Sequence, residues 1–338
     1  MSRLHPALLC LLLAATGQAQ TPVETPLRPE DTPALPAEET EVPEAAPASP
    51  AFEPQPINDW LAAQVELSRR GFSCGSLDGV RGIQSVTALK AFQKNEGLRE
   101  TGELDRATKD ILKLTAPVLT EYVFTVLDLA AVRPMPDTWL GKSQLDALRH
   151  ATALELVAER FRSNPKLVLK LNPGVDWERI LPGQSIVVPS AEPVIPEAKV
   201  ARIHVYLAEH VLQVVDETGR ILFHCPVSIA RNVEKRPVGE LHVAVVIPDP
   251  NYTFDPEVFP EVPEGKELGR KLIIAPGPNN PVGVAWIGLD RTGYGIHGTP
   301  EPEKVGRTES HGCFRLANWD ARILLKLAWV GLTVMVDE

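Results

Sequence analysis

The chain has 338 residues, 44% of them hydrophobic, and a formal net charge of −10. That length supplies two or three domains with cores of their own, and the acidic balance excludes a nucleic-acid partner, which would want a basic face. No apolar run approaches the roughly 20 residues that a bilayer core demands.

Residues 1–19 combine Arg3, an apolar core from Ala7 to Ala15 that contains Leu11-Leu12-Leu13, and the small residues of Gly17-Gln18-Ala19. This is the pattern of a cleaved signal peptide. It predicts an exported protein of the periplasm or cell envelope with no transmembrane span after cleavage. Cys10 lies inside the apolar core behind Leu8-Leu9, where a lipidated cysteine does not belong. Cleavage leaves Cys74, Cys225 and Cys313, an odd number in a compartment that favours disulfides, so at least one thiol stays unpaired. Residues 20–57 are rich in Pro, Glu and Ala. Between Thr21 and Pro56 stand eight acidic residues, the single basic Arg28 and ten prolines. Such a segment builds no regular element and no core, and it serves as an extended tether.

Residues 58–115 carry three short apolar stripes at helical spacing: Trp60, Leu61, Val65 and Leu67; then Val86, Leu89 and Phe92; then Leu104, Thr108 and Ile111. A glycine-rich loop, residues 71–82, joins the first two. Leu77-Asp78-Gly79, Ala88-Leu89-Lys90-Ala91-Phe92-Gln93, Gly97-Leu98, Thr101-Gly102 and Asp105 together resemble the all-α, three-helix peptidoglycan-binding domain of cell-wall enzymes. The resemblance implies wall targeting. Phe92 reads as core and Gln93 as helix surface. Residues 120–190 open on Tyr122-Val123-Phe124-Thr125, continue through an insertion rich in proline and polar residues, and form a helix around Leu154 to Phe161. They close on Ile180-Leu181-Pro182-Gly183-Gln184-Ser185-Ile186-Val187-Val188-Pro189. That ending resembles a LysM module, a small α+β domain that grips glycan strands.

From residue 199 to 338 the period changes to alternation. Strands are predicted around Ile203 to Leu207, Val211 to Val215, Ile221 to Val227, Leu241 to Ile247, Val284 to Leu289 and Leu332 to Val336, with a hairpin turn at Glu217-Thr218-Gly219. One helix, Trp319 to Val330, interrupts them, with Asn318 as its N-cap and Asp320 in its first turn. The proline-rich segment from Ile247 to Pro281 is too long for a plain connection and reads as a lid.

Acyl transfer by cysteine needs a thiol, a base or ion-pair partner, and donors aimed at the developing oxyanion. Cys313 alone among the cysteines has these parts around it: His297-Gly298-Thr299 upstream and Ser310-His311-Gly312-Cys313 itself. In an extended chain His311 and Cys313 share a face, and the amides of Gly312 and Cys313 are candidates for the oxyanion site. A nearby imidazolium lowers a thiol pKa by several units, so His297 is assigned as the activator of Cys313, its other nitrogen held by a carbonyl near Gly298 or Thr299. Tyr252 and Tyr294 are both candidate oxyanion donors. Zinc held by His297, His311 and Cys313 would use the same residues, but no further ligand at a recognisable helical spacing accompanies them, and neither a metal nor a cofactor is expected.

His297-Gly298, the loop Thr299 to Glu309, Ser310-His311-Gly312-Cys313, Arg315 and Asn318 together resemble the signature of the YkuD-type L,D-transpeptidase catalytic domain, which is mainly β. Arg236-Pro237-Val238-Gly239 departs from the family's Thr-Pro-x-Gly. The resemblance implies attack of Cys313 on the third residue of a peptidoglycan stem, loss of the terminal D-alanine, and resolution of the thioester by an amine to give a 3→3 crosslink. It makes Arg315 the partner of a substrate carboxylate, with Ser310, Gly298, Thr299 and Asn318 around the substrate. A lysine of an envelope lipoprotein, a free D-amino acid or water (L,D-carboxypeptidase or endopeptidase action) could resolve the same intermediate. A non-catalytic wall-binding scaffold is the remaining alternative.

Overall fold

The computed structural model describes residues 52–194, 197–257, 263–307 and 312–338. The expected signal peptide, nearly all of the tether, and Ser310 and His311 lie outside them. Among the described residues no helix is long and apolar enough to cross a membrane.

The first module is clasped at its ends by a two-residue ladder, β1 (Gln55–Pro56) against β2 (Lys113–Leu114). Between them run α1 (Trp60–Arg69), α2 (Ile83–Asn95) and α3 (Arg106–Ile111). Asp59 and Asp105 cap α1 and α3 by accepting from Ala62 N and Thr108 N, which satisfies amides that a helix start leaves without partners. Val65, Leu67, Leu89 and Phe92 are fully buried, as the stripes predict. Gln93 differs from its expected place on the surface. It is 0% exposed, and its amide donates to Thr101 Oγ1, Glu103 O and Thr108 Oγ1 while accepting from Gly102 N. A buried amide whose nitrogen and oxygen are both bonded pins the loop before α3.

The second module pairs β3 (Leu119–Val123) antiparallel with β4 (Ser185–Pro189), and α6 (Ala153–Arg160) and α7 (Pro165–Leu171) cover one face through Phe124, Leu156, Val157, Val168, Ile186 and Val188. The insertion between β3 and α6 holds two short helices, α4 (Val126–Ala130) and α5 (Trp139–Ser143).

The third module is built on an eight-stranded sheet, β5 (Val200–Tyr206), β6 (Val211–Asp216), β7 (Ile221–Pro226), β8 (Gly239–Pro248), β11 (Ala285–Leu289), β12 (Gly295–His297), β13 (Phe314–Arg315) and β14 (Thr333–Asp337). Their spatial order is β13-β12-β11-β8-β14-β5-β6-β7. Ser228, just past β7, exchanges both backbone hydrogen bonds with Arg315 at 2.9 and 3.0 Å, so the two ends of the sheet meet. The β6–β7 turn is as expected: Asp216 Oδ1 accepts from the amides of Thr218 and Arg220, and Gly219 has a φ of +84°. The excursion from Ile247 to Pro281 forms β9 (Tyr252–Phe254), α8 (Pro263–Leu268) and β10 (Leu272–Ile274), with β9 paired to β10. The helix α9 (Asn318–Leu327) lays Ala321, Ile323, Leu324 and Leu327 into the sheet's core. Its N-cap is Ala317 rather than Asn318, whose side chain is engaged elsewhere.

The modules are joined by hydrogen bonds as well as by apolar surface. Asn95 both donates to Ile221 O and accepts from Ile221 N at 2.8 Å, while Ser73 N and Gly71 O take up the carbonyl and amide of His224. All six β7 residues are buried. At the junction of the three modules Ser73 donates to Asp320 Oδ2 at 3.1 Å, with the buried Arg162 guanidinium acting on the same carboxyl. Burial dominates there and pushes the Asp320 carboxyl up to about 7, against the pull of Arg162 and Ser73. Cys74 and Cys225 are buried free thiols, both pushed up by burial and by Asp320, and no bridge joins them.

Because the folded state keeps the Asp320 proton that an unfolded chain releases near pH 3.8, stability should fall as pH rises from about 4 to about 7 and then level off. Asp320→Asn should flatten that slope by on the order of a few kcal/mol. Chemical denaturation across this range tests it, and an unchanged slope in the variant would refute the assignment.

Candidate active site

Alternation along β12 and β13 sorts the site from the core. Ile296, Phe314 and Leu316 point inward and are at most 1% exposed. Gly295, His297, Cys313 and Arg315 therefore occupy the opposite face. The strands run parallel, with Ile296 beside Phe314 and His297 beside Arg315. Cys313 is thus one step earlier, next to Gly295, and its thiol reaches Gly293 O at 3.5 Å. His297 and Cys313 are diagonal neighbours on adjacent strands.

His297 is held on two sides. Its Nδ1 lies 2.6 Å from Gly298 O, which fixes the proton there and leaves Nε2 as the acceptor. The Trp286 indole stacks on the imidazole with 5.7 Å between centroids and 24° between planes. Trp286 is the cross-strand partner of His297, and glycine stands at 288 and 295 because a Cβ at either would come within 2.9 Å of that indole. Counting register back from the turn between Leu289 and Tyr294 would have found Trp286 in the sequence; alternation alone did not.

Asn318, expected at the substrate, is instead fully buried behind the site. Its amide donates to Glu159 Oε2 at 2.9 Å and Pro278 O at 3.0 Å and accepts from Val284 N at 3.3 Å. A Cβ on Gly298 would lie 2.3 Å from Asn318 Oδ1, and one on Gly283, which has a φ of +61°, only 2.1 Å away. Asn318 and these two glycines fix the backbone that carries the Gly298 carbonyl. Thr299 is buried as well and accepts from Glu301 N. Gly312 differs from these glycines: a Cβ there would meet nothing within 4 Å among the described residues.

Of the two candidate tyrosines, Tyr252 lies on β9, in the excursion between β8 and β11. Its hydroxyl feels the charges of Arg315 and Cys313, and burial pushes it up to about 12, so it is a hydrogen-bond donor at neutral pH. Tyr294 packs on the sheet core with the Arg291 guanidinium 4.8 Å above its ring. Arg236, the departure from the family pattern, folds its guanidinium onto the carbonyls of Ala230 and Arg231 and remains a turn residue.

Burial also decides the resting protonation. It drives His297 down to about 4, assisted by Arg315 and opposed by the Gly298 carbonyl, and it raises the Cys313 thiol against smaller pulls from the Gly295 backbone and Arg315. Both shifts favour a neutral imidazole and a neutral thiol over the expected imidazolium–thiolate pair. Alkylation of Cys313 by iodoacetamide should consequently climb steadily with pH from 6 to 9, because only the thiolate reacts. A rate constant flat between pH 5 and 8 would indicate the ion pair instead. Cys74 and Cys225 are fully buried and do not confuse the measurement.

Residues 200–336 match the YkuD family model, described as "L,D-transpeptidase catalytic domain". This part of the chain is an L,D-transpeptidase catalytic domain. Residues 57–112 match the model described as "Putative peptidoglycan binding domain". "Putative L,D-transpeptidase YkuD" of Bacillus licheniformis is 28% identical over 183 residues, which cover 54% of this chain and 92% of that protein. "Probable L,D-transpeptidase YbiS" of Escherichia coli is 26% identical over 218 residues, covering 62% and 70%. The solved "L,D-transpeptidase from Mycobacterium smegmatis" shares 18% identity over 45% of this chain and 65% of its own, with a TM-score of 0.32. The chain is accordingly an enzyme of the transferase class. Its L,D-transpeptidase domain ends two residues before the C-terminus, so both curated alignments necessarily run upstream of residue 200 into the second module.

Proposed function

We propose that the enzyme acts outside the cytoplasm on peptidoglycan stem peptides through a thioester on Cys313, and that an amine of a second stem resolves it into a 3→3 crosslink. The observation that carries this reading is the single sheet face shared by Cys313, His297 and Arg315. Arg315 offers a planar fork to a carboxylate of the donor stem. Cys313 Sγ attacks the carbonyl of the third residue while its proton passes to His297 Nε2, the nitrogen left open by the Gly298 bond. Charge on the tetrahedral oxygen is met by the amides of Gly312 and Cys313 and by the Tyr252 hydroxyl. Collapse breaks the peptide bond to the terminal D-alanine, which leaves as an amine with the proton from His297. The acceptor amine then repeats the sequence in reverse and frees the thiol. Ser310 and His311 belong to the same motif: His311 is assigned to the catalytic group with Cys313, His297 and Gly312, and Ser310 to the substrate side. Gly298, Thr299 and Asn318 serve by position, because their atoms are committed within the fold.

Upstream, the peptidoglycan-binding module and a LysM-like second module keep the enzyme on the wall, and the tether gives it reach from the export site. No cofactor is required by this chemistry. Incubation of the purified enzyme with disaccharide-tetrapeptide, with products identified by mass, tests the reading. A dimer that has lost one D-alanine is expected. Tripeptide alone would make the enzyme a hydrolase, dimer only after addition of a lysine-bearing lipoprotein peptide would make it an anchoring enzyme, and neither product would overturn the proposal.

A further inference from the structure

Among the described residues the lid strands on which Tyr252 rests do not pair with the catalytic sheet. Among the described residues β9 and β10 pair only with each other, Tyr252 opposite Ile274 and Phe254 opposite Leu272. What covers them comes from the second module's insertion. The Trp139 indole lies flat on Phe254, with 4.3 Å between centroids and 11° between planes, and 6.1 Å from the Tyr252 ring. The amides of Trp139 and Leu140, at the start of α5, both donate at 2.8 Å to the carboxylate of Glu264 on α8. Leu148 donates to Pro276 O at 2.8 Å and accepts from Asn279 N at 3.1 Å. Gly277 has a φ of +140°, and a Cβ on it would lie 2.2 Å from Leu148 O. Leu148, Phe254, Leu272 and Ile274 are buried together as a cluster distinct from the sheet's core, with Trp139 and Tyr252 packed against it.

We propose that residues 133–151 are a working part of the active site, in which Trp139 is a positioning residue that clamps the lid strand carrying Tyr252 and so sets where the Tyr252 hydroxyl stands at the site. The second module thereby builds one wall of the substrate channel. Two aromatic rings at stacking distance with their backbones clamped on both sides have little rotational freedom. A wall assembled from two modules in this way fixes a hydroxyl more tightly than a free loop would. The inference rests on the acyl-transfer reading for its kinetic arm only.

The test uses the full-length chain. Trp139→Ala should lower kcat/KM by about tenfold, chiefly through kcat, and Trp139→Phe should recover most of it. In a Tyr252→Phe background, Trp139→Ala should add no further loss, because the hydroxyl it positions is already gone. A loss that multiplies in the double variant, or a Trp139→Ala enzyme with wild-type kinetics, overturns the proposal. Independently of any substrate, Cys313 alkylation should be several-fold faster in Trp139→Ala than in wild type or Trp139→Phe, because the wall that shields the thiol loosens; equal rates overturn the proposal. A wild type without transfer activity that still shows this contrast would refute the proposed function and leave the wall standing. Should Trp139→Ala fail to fold, Glu264→Gln loosens the same clamp with an isosteric side chain and is read in the same two assays.

Discussion

Cys313→Ala is expected to fold as the wild type and to lose transfer by about 10⁴-fold or more, the usual consequence of removing a covalent nucleophile. The side chain is half-buried on the open face of β13, away from the Phe314 side that packs in the core, so its removal should move the melting temperature by only a degree or two, within roughly 0.5 kcal/mol. Neither the neighbouring imidazole nor Tyr252 can substitute, since the one offers a base and the other a donor without a nucleophile. Full activity in Cys313→Ala, measured by mass on tetrapeptide, would remove catalysis by this thiol altogether.

Asn318→Ala should give the largest loss of stability, about 3–5 kcal/mol, together with at least a tenfold loss of kcat. Its amide joins Glu159 of the second module, Pro278 of the lid's return and Val284 at the head of β11. Truncation leaves a carboxylate and an amide short of partners where water has no easy access, and each orphan costs roughly 1–3 kcal/mol. It also opens a void against Gly298, whose carbonyl orients His297. The melting temperature should drop by roughly 10 °C, and a drop of less than about 2 °C would show that these bonds carry no weight.

Periodicity made the catalytic module legible. Strands expected at Leu241 to Ile247 and Leu332 to Val336 appear as Gly239–Pro248 and Thr333–Asp337, and the helix expected at Trp319 to Val330 runs from Asn318 to Leu327. The thiol and imidazole proposed as nucleophile and base were legible for a different reason: a thiol and imidazoles set close around glycines have few other uses. Asn318, Gln93 and Trp286 were not. An asparagine that spans two modules leaves no repeat in the sequence, and a glutamine buried within an amphipathic helix looks like any polar residue on its outer face. Trp286 acquires its partner only once the hairpin register is known. The burial that disfavours an ion pair was not legible either, since the expected pair assumed a wet imidazole and folding seals His297 at 5% exposure.

The edge of the sheet has a consequence for how such a protein can be divided. The strand Ile221-Leu222-Phe223-His224-Cys225-Pro226 owes part of its cover to Gly71, Ser73 and Asn95 of the first module. Stripped of that module, a chain beginning near residue 199 would offer an apolar ribbon with open hydrogen-bonding groups to any neighbour able to extend it. Solubility of the catalyst is therefore supplied in cis by a module of the peptidoglycan-binding family. The two cannot be exchanged or deleted as independent parts, and a lineage that lost the first would have to redesign the outer face of β7 before it could keep the second.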